Sequence, residues 1–107
     1  MAHSLIIRPA DEVTVQQGAV VSKVVHRGDG LDVTVFGFDT GEQLTEHTAA
    51  RAAVVQVLSG RLRFVVDGNE LDLREGSWLH MDANAPHSLA AIEPTVMLLT
   101  LFVPDRE

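Results

Sequence analysis

Turn signals interrupt this chain so often that no long helix fits between them. Glycine, aspartate and asparagine recur every ~8–12 residues, and the stretches between them are short and rich in valine and leucine. The clearest signal is Asp67-Gly68, a dipeptide that favours a two-residue hairpin turn because both residues accept a positive φ. Such regular interruption is typical of an all-β sandwich or barrel.

The pattern predicts about nine to eleven short antiparallel strands and little or no helix. The strands expected from it cover residues 4–8, 13–16, 19–26, 31–38, 54–59, 61–67, 70–73, 76–81 and 95–103. The alanine-rich stretch 49–53 is too short to form a stable helix by itself, so it is interpreted as a loop.

The last predicted strand, residues 95–103, is apolar on both faces. Val96 and Leu98 lie on one face, and Met97 and Leu99 lie on the other. A strand with one face in water would alternate apolar and polar residues. We therefore expect this strand to be covered by the core on one side and by a partner subunit of a homodimer on the other.

Composition argues against several classes of function. The chain has 107 residues and no cysteine, which indicates a single domain over 1–107 without disulfides or thiolate metal ligands. The net charge is −7, and the one lysine and seven arginines are scattered, so a nucleic-acid partner is not expected. No leader pattern opens the chain, and its longest apolar run is far below the ~20 residues that span a bilayer. A cytoplasmic location without membrane contact is expected.

Two segments carry histidines at a distinctive spacing. Residues 41–60 read GEQLTEHTAARAAVVQVLSG and contain Gly41, His47 and Gly60. Residues 76–87 read GSWLHMDANAPH and end at His87. Asn84 in this second segment tolerates the left-handed backbone region, so a tight turn is expected before His87.

The two segments resemble, in order and spacing, the two conserved motifs of the cupin superfamily. The resemblance implies a cupin jelly-roll β-barrel or sandwich with a core of about residues 31–103 and with His47 and His87 close together at its mouth. Metal-binding cupins use three histidines and one glutamate to hold Fe, Mn, Ni, Cu or Zn. Here Ala49 stands at the second histidine position and Ala53 at the glutamate position.

A metal site would therefore need additional ligands besides His47 and His87. Divalent transition metals are usually held by three or four protein ligands, so two imidazoles alone make a weak site. The candidates to complete it are His80, His26, Gln43 and Glu46. Gln56 is a poorer candidate, because strand alternation places it on the face opposite to Ala53.

Two principal functions follow from these residues. One is an enzyme of the oxygenase or isomerase/cyclase type, in which His47 and His87 are catalytic and hold a weakly bound divalent metal. The other is a metal-free module that binds or senses a small organic molecule. A third, a regulatory partner without chemistry, has less support. A further ligand beside the two histidines would favour the metal site, whereas an apolar cavity with both histidines bonded to backbone carbonyls would favour the binding module.

The sequence favours structural roles for several other residues. Arg51, Arg61 and Arg63 are interpreted as surface charges, and Asp82 as a turn residue. Arg61 and Arg63 share a strand face, so one of them could bind an anionic ligand if that face lines the pocket. Trp78 is interpreted as part of the core or of the pocket wall.

Overall fold

A computed structural model describes residues 2–104 of the chain. These residues form nine strands and one short 3₁₀ helix, Pro9–Glu12. The strands are β1 Val20–Gly28, β2 Leu31–Phe38, β3 Gln43–His47, β4 Ala53–Ser59, β5 Arg61–Val66, β6 Asn69–Arg74, β7 Trp78–Met81, β8 His87–Ala91 and β9 Thr95–Phe102. Among the described residues, no helix is long and apolar enough to cross a bilayer.

The strands form two antiparallel sheets that face each other, which confirms the predicted all-β jelly roll. The five-stranded sheet has the order β1-β2-β9-β4-β7, and the four-stranded sheet has the order β3-β8-β5-β6. Alternating residues of both sheets meet between them. Phe38, Val55, Val57, Leu62 and Phe64 are the large side chains at the centre of this core, and each is almost completely buried.

Two turns have the backbone that the sequence predicts. Asp67 and Gly68 have φ values of 50° and 81°, so both residues are left-handed, as a type I′ hairpin turn requires. Asn84 has a φ of 68° in the turn before β8. Stretch 49–52 is an irregular loop, as expected, although Ala53 already belongs to β4.

The predictions for the N-terminal region were wrong. Residues 4–8 and 13–16 are not strands, and Pro9–Glu12 between them is a 3₁₀ helix. A side chain at Gly37 would come within 3.4 Å of Val13 Cγ2 and 3.5 Å of Val15 Cγ2. The segment therefore packs through its side chains against the outer face of the five-stranded sheet, instead of adding a hydrogen-bonded strand to a sheet edge.

This N-terminal packing explains part of the apolar pattern on β9. Strand β9 lies in the middle of its sheet, between β2 and β4. Val96 pairs with Gly37 on the outer face and is buried. The chain itself thus covers part of the face for which a partner subunit was expected, and the homodimer stays a prediction.

Candidate functional site

A β-bulge in strand β3 decides which side chains this strand sends into the barrel. Leu44 pairs with Leu89 and His47 pairs with His87, so three steps along β3 match two steps along β8. Leu44 packs against the core. Because of the extra residue, His47 rather than Glu46 shares the inward face with Leu44. The sequence did not predict β3 as a strand, and it did not predict its bulge.

The turn between β7 and β8 supplies the other half of the site. Asn84 in its left-handed conformation reverses the chain, and its backbone N–H donates to the carbonyl of Ala49 at 2.7 Å. This bond ties the turn to the β3–β4 loop. The next residues, Ala85 and Pro86, lead directly into His87 at the start of β8.

His47 and His87 come together as predicted. Their ring centroids are 4.2 Å apart, and the ring planes meet at 63°. The ring of Phe64 stacks on His87 with a centroid distance of 6.2 Å and an angle of 14°. Since Phe64 is almost fully buried, its contact restricts the movement of the His87 ring.

Backbone carbonyls fix the hydrogen positions on both imidazoles. His47 Nδ1 lies 2.9 Å from the Thr45 carbonyl oxygen, and His87 Nδ1 lies 2.9 Å from the Ala85 carbonyl oxygen. A carbonyl only accepts, so each Nδ1 is the donor. In the neutral ring, each Nε2 then carries a lone pair and can accept a hydrogen bond or bind a metal.

The two histidines line a cavity of about 160 Å³. Its apolar wall consists of Ala49, Ala53, Met81, Ala85, Leu99 and Leu101, and its charged members are Arg51 and Asp82. Strand register explains the wall, because Ala53 of β4 pairs with Met81 on one side and Leu101 on the other. The short side chains of Ala49 and Ala53 leave the space that the two lost ligands of the cupin motif would occupy.

Sequence reasoning assigned Arg51 and Asp82 to the surface and to a turn, and missed that both line this cavity. Both are exposed residues of connecting segments. The signal that was available is their position, since each lies within five residues of a motif histidine. Their place beside the same cavity depends on the bulge in β3 and on the hydrogen bond from Asn84 to Ala49, and neither is visible in the sequence.

His80 is not among the residues that line this cavity. It pairs with Val54, whereas the adjacent pair of Met81 and Ala53 faces the cavity. Its side chain is 44% exposed, its Nδ1 lies 3.8 Å from Asp82 Oδ1, and its ring stacks on Trp78. Trp78 is itself exposed, so its predicted place in the core or pocket wall was wrong.

The other candidate ligands also lie elsewhere. His26 is on β1 with its Nε2 3.2 Å from the Gly28 carbonyl oxygen. Gln43 and Glu46 line a different groove, next to Arg63. Gln56 is absent from the His47–His87 cavity, in agreement with its predicted direction. The metal-ligand roles of His26 and His80 stay predictions that this arrangement does not support.

The residues present do not fit the four-ligand metal site of metal-binding cupins. Within residues 2–104, no group of three or more histidine, cysteine, aspartate or glutamate side chains is arranged to hold an ion. His47 and His87 supply two imidazoles, and Ala49 and Ala53 supply no ligand atom. Two ligands are fewer than the three that a catalytic metal centre normally requires.

A second group of charged residues lies on the outer face of the four-stranded sheet. Arg61 donates from Nε to Asp72 Oδ1 at 2.8 Å, and Arg74 donates from Nη2 to Asp72 Oδ2 at 2.8 Å. The hydrogen bonds from Arg61 and then from Arg74 lower the pKa of Asp72 to about 2. Asp72 in turn raises the pKa of Arg61. Arg63 pairs with Glu70 beside them.

Comparison with known families identifies the fold. The family model described as "Cupin domain" matches residues 34–103, well over half of the chain. The chain belongs to the cupin family. The match covers both histidine segments, so the expected resemblance is confirmed. A comparison with curated proteins found no match.

Several solved structures are similar to this cupin. A conserved protein of unknown function from Streptococcus pyogenes is 29% identical, with a TM-score of 0.86 over 99% of this chain and 93% of that chain. A cupin 2 conserved barrel domain protein from Leptotrichia buccalis is 35% identical, with a TM-score of 0.82 over 87% of this chain. The match spans 45% of that longer protein. KdgF from a Halomonas species is 23% identical with a TM-score of 0.78 over 99% of this chain and 97% of that one, which is evidence for the fold alone.

Proposed function

We propose that the cavity at His47 and His87 binds a small organic molecule without a resident metal ion. The observation that supports this most strongly is the cavity of about 160 Å³ that Ala49 and Ala53 leave beside two carbonyl-bonded histidines. A protein pocket with an apolar wall and a few convergent polar groups is the usual form of a ligand site.

The cavity volume limits the size of the ligand. An apolar cavity of about 150 Å³ accommodates benzene, which has six non-hydrogen atoms. A ligand of roughly five to eight non-hydrogen atoms therefore matches the enclosed space. Its carbon atoms would pack against Met81, Leu99 and Leu101, which displaces water from apolar surface.

The two imidazoles would orient this ligand. With Nδ1 held by a carbonyl, each Nε2 accepts a hydrogen bond from a hydroxyl or N–H group of the ligand. The same nitrogen is the atom that would take up a proton if the protein turns its ligand over, since histidine is the common general base near neutral pH. The catalytic assignment of His47 and His87 rests on this atom and stays a prediction.

A weakly bound divalent metal ion at His47 and His87 is the second candidate. The observation that favours it is the pair of Nε2 lone pairs on rings 4.2 Å apart, because a carbonyl bonded to Nδ1 is the usual second-shell partner of a metal-bound histidine. Such an ion would act as a Lewis acid toward the bound molecule, as expected for an oxygenase or isomerase/cyclase. The missing third protein ligand makes this the weaker candidate.

Histidine-detected NMR of chelator-treated protein tests the first proposal. A set of neutral and charged molecules of roughly five to eight non-hydrogen atoms would be titrated while the ring signals of His47 and His87 are followed. We expect some of them to shift both signals without added metal. Failure of every compound to shift either signal would contradict the proposal.

A matched pair of variants locates the binding. Ala49→Leu extends a side chain into the cavity, whereas Ala50→Leu changes the exposed neighbour that does not line it. We expect Ala49→Leu to abolish the shifts and Ala50→Leu to preserve them. Unchanged binding by both variants would place the ligand elsewhere.

The homodimer and the cytoplasmic location are further proposals. Analytical ultracentrifugation across a concentration series would test the first, and fractionation of cells that produce the protein would test the second.

A further inference from the structure

We propose that the ligand of this cavity is a small carboxylic acid that also carries a hydroxyl group, with Arg51 binding the carboxylate. This inference rests on the proposed small-molecule function and adds the chemical class of the ligand. It follows from the different chemistry of the groups that line the cavity, namely one guanidinium group, two imidazole acceptors and an apolar wall.

The backbone on both sides of Arg51 is held in place. The carbonyl of Ala49 accepts from Asn84 N at 2.7 Å, and the carbonyl of Ala52 accepts from Phe102 N at 3.0 Å. Arg51 lies between these two anchored residues, so its Cα has a defined position at the cavity although its side chain is exposed. A ligand would need to order only the side chain, which limits the entropy lost on binding.

Arg51 also has no acidic partner among residues 2–104. Arg27, Arg61, Arg63 and Arg74 each have a carboxylate within 4 Å. The side chains of Arg8 and Arg51 have neither an ion pair nor a hydrogen bond within the described part of the chain, and of these two Arg51 lines the cavity. Within residues 2–104, its five N–H donors therefore have no partner. A guanidinium group matches a carboxylate geometrically, because two parallel N–H···O bonds can form.

Asp82 also lines the cavity, and its negative charge repels a bound carboxylate only weakly. Its side chain is 92% exposed, so water and salt screen it from a ligand held inside the cavity. It adds only a small repulsion, which grows with the negative charge of the ligand. A monocarboxylate is therefore slightly favoured over a dicarboxylate or a phosphate ester.

The hydroxyl follows from the hydrogen bonds that the histidines already make. With Nδ1 donating to a backbone carbonyl, Nε2 of the neutral ring presents a lone pair, which favours a donor over a carboxylate, so the acid group is assigned to Arg51. The histidines instead need a donor, and a hydroxyl on the same short chain supplies one to Nε2. The carbon atoms between the two groups then face Leu99 and Leu101.

The test uses butyrate derivatives, which have the expected size. Hydroxybutyrates with the hydroxyl at each chain position would be titrated by histidine-detected NMR, beside butyrate and the amides of the same hydroxy acids. We expect one hydroxybutyrate to bind about tenfold or more tightly than its amide, the typical strength of a charge-assisted hydrogen bond. Butyrate should bind more weakly than that isomer, because it leaves the imidazole lone pairs without a donor.

Three variants assign the effect to Arg51. Arg51→Ala should bind the hydroxybutyrate and its amide equally. Arg51→Lys should keep part of the preference for the acid, because lysine keeps the positive charge. Arg63→Ala removes an arginine that is paired with Glu70 on the outer face, and it should leave the preference unchanged. Equal binding of acid and amide by the unchanged protein, or an acid preference that survives Arg51→Ala, would overturn this inference.

The outcomes separate this inference from the proposed function. If neutral compounds shift the His47 and His87 signals but no hydroxy acid is preferred, the cavity is a ligand site and the carboxylate assignment is wrong. If no compound of either charge shifts them, both are wrong. Shifts confined to residues around Arg61 and Arg63 would place acid binding on the outer face and would also overturn the inference.

Discussion

The two faces of the four-stranded sheet use polar residues in opposite ways. On the outer face, Arg61 and Arg74 donate to Asp72, and Arg63 pairs with Glu70, so each of these charges has a partner of opposite sign. On the inner face, His47 and His87 each use one nitrogen for a backbone carbonyl and keep the other available. The outer groove beside Arg61 is the wider space, with about 320 Å³ against 160 Å³.

Unused hydrogen-bonding capacity, rather than charge or volume, is the reason for proposing the inner cavity as the ligand site. The outer groove is open to solvent, and its charged groups already have partners. The inner cavity is smaller and more enclosed, and within residues 2–104 the Nε2 atoms of its imidazoles and the side chain of Arg51 have no hydrogen-bond partner. The variants below separate the two faces, starting with a change that should disrupt both.

Gly60→Ala should have the largest effect, because Gly60 joins β4 of one sheet to β5 of the other. Its φ is +93°, and an added Cβ would lie 2.4 Å from the Pro94 carbonyl oxygen and 2.7 Å from Thr95 Cα. We expect the free energy of unfolding to fall by more than about 3 kcal/mol in urea titrations, since strain and a backbone clash add.

Gly76→Ala is the control for this change. Gly76 has a similar φ of +89° but nothing within 4 Å of the added Cβ, so only the conformational cost of about 1 kcal/mol applies. Equal losses of stability for the two variants would show that the close approach at Gly60 is not what matters.

Phe64→Leu should affect the inner face alone. It removes the ring that stacks on His87, and we expect it to lower the free energy of unfolding by about 1–2 kcal/mol. It should also broaden or shift the NMR signal of the His87 ring, while the Arg61–Asp72 pair is preserved. An unchanged His87 signal would mean that Phe64 fills the core without positioning the histidine.

Asp72→Asn should have the smallest effect and should act on the outer face alone. The pKa of Asp72 is lowered from 3.8 to about 2 in the folded protein, so its ionised form stabilises the fold above pH ~4 and loses that contribution as the pH falls toward 2. The variant should be less stable than the unchanged protein at pH 7. The difference should be mostly lost near pH ~2, absent below it, and reduced in high salt.

Urea unfolding of both proteins across this pH range measures the effect. The side chains of Arg61 and Asp72 are both exposed to solvent, so the difference should be small. A difference in stability that persists undiminished at pH ~2 would show that the contribution does not come from the ionised carboxylate.

Much of this architecture could be predicted from local sequence. Strand Leu31–Phe38 has the predicted bounds, and the turns at Asp67-Gly68 and Asn84 follow from residues that accept positive φ. The closeness of His47 and His87 was expected from the cupin resemblance and is confirmed. In each case the information lies within a few adjacent residues or in a motif spacing.

The remaining features depend on contacts between distant segments. The bulge that turns His47 inward and Glu46 outward exists only in the pairing of β3 with β8. Residues 13–16 look like a strand by composition, but their place over Gly37 is set by the sheet that they cover. The place of Arg51 depends on hydrogen bonds from Asn84 and Phe102 to the loop that contains it.

Metal analysis is the most direct test of the claim that the alanines convert a metal centre into an organic ligand site. Purified protein, its His47→Ala variant and Ala49→His with and without Ala53→Glu would be dialysed against Fe, Mn, Ni, Cu and Zn, and the bound metal would be measured by elemental analysis. Ala49→His alone is included because a glutamate at the buried position 53 could prevent the double variant from folding. We expect the unchanged protein to retain far less than one ion per chain and Ala49→His to retain more. Stoichiometric metal in the unchanged protein, lost in His47→Ala, would contradict the account.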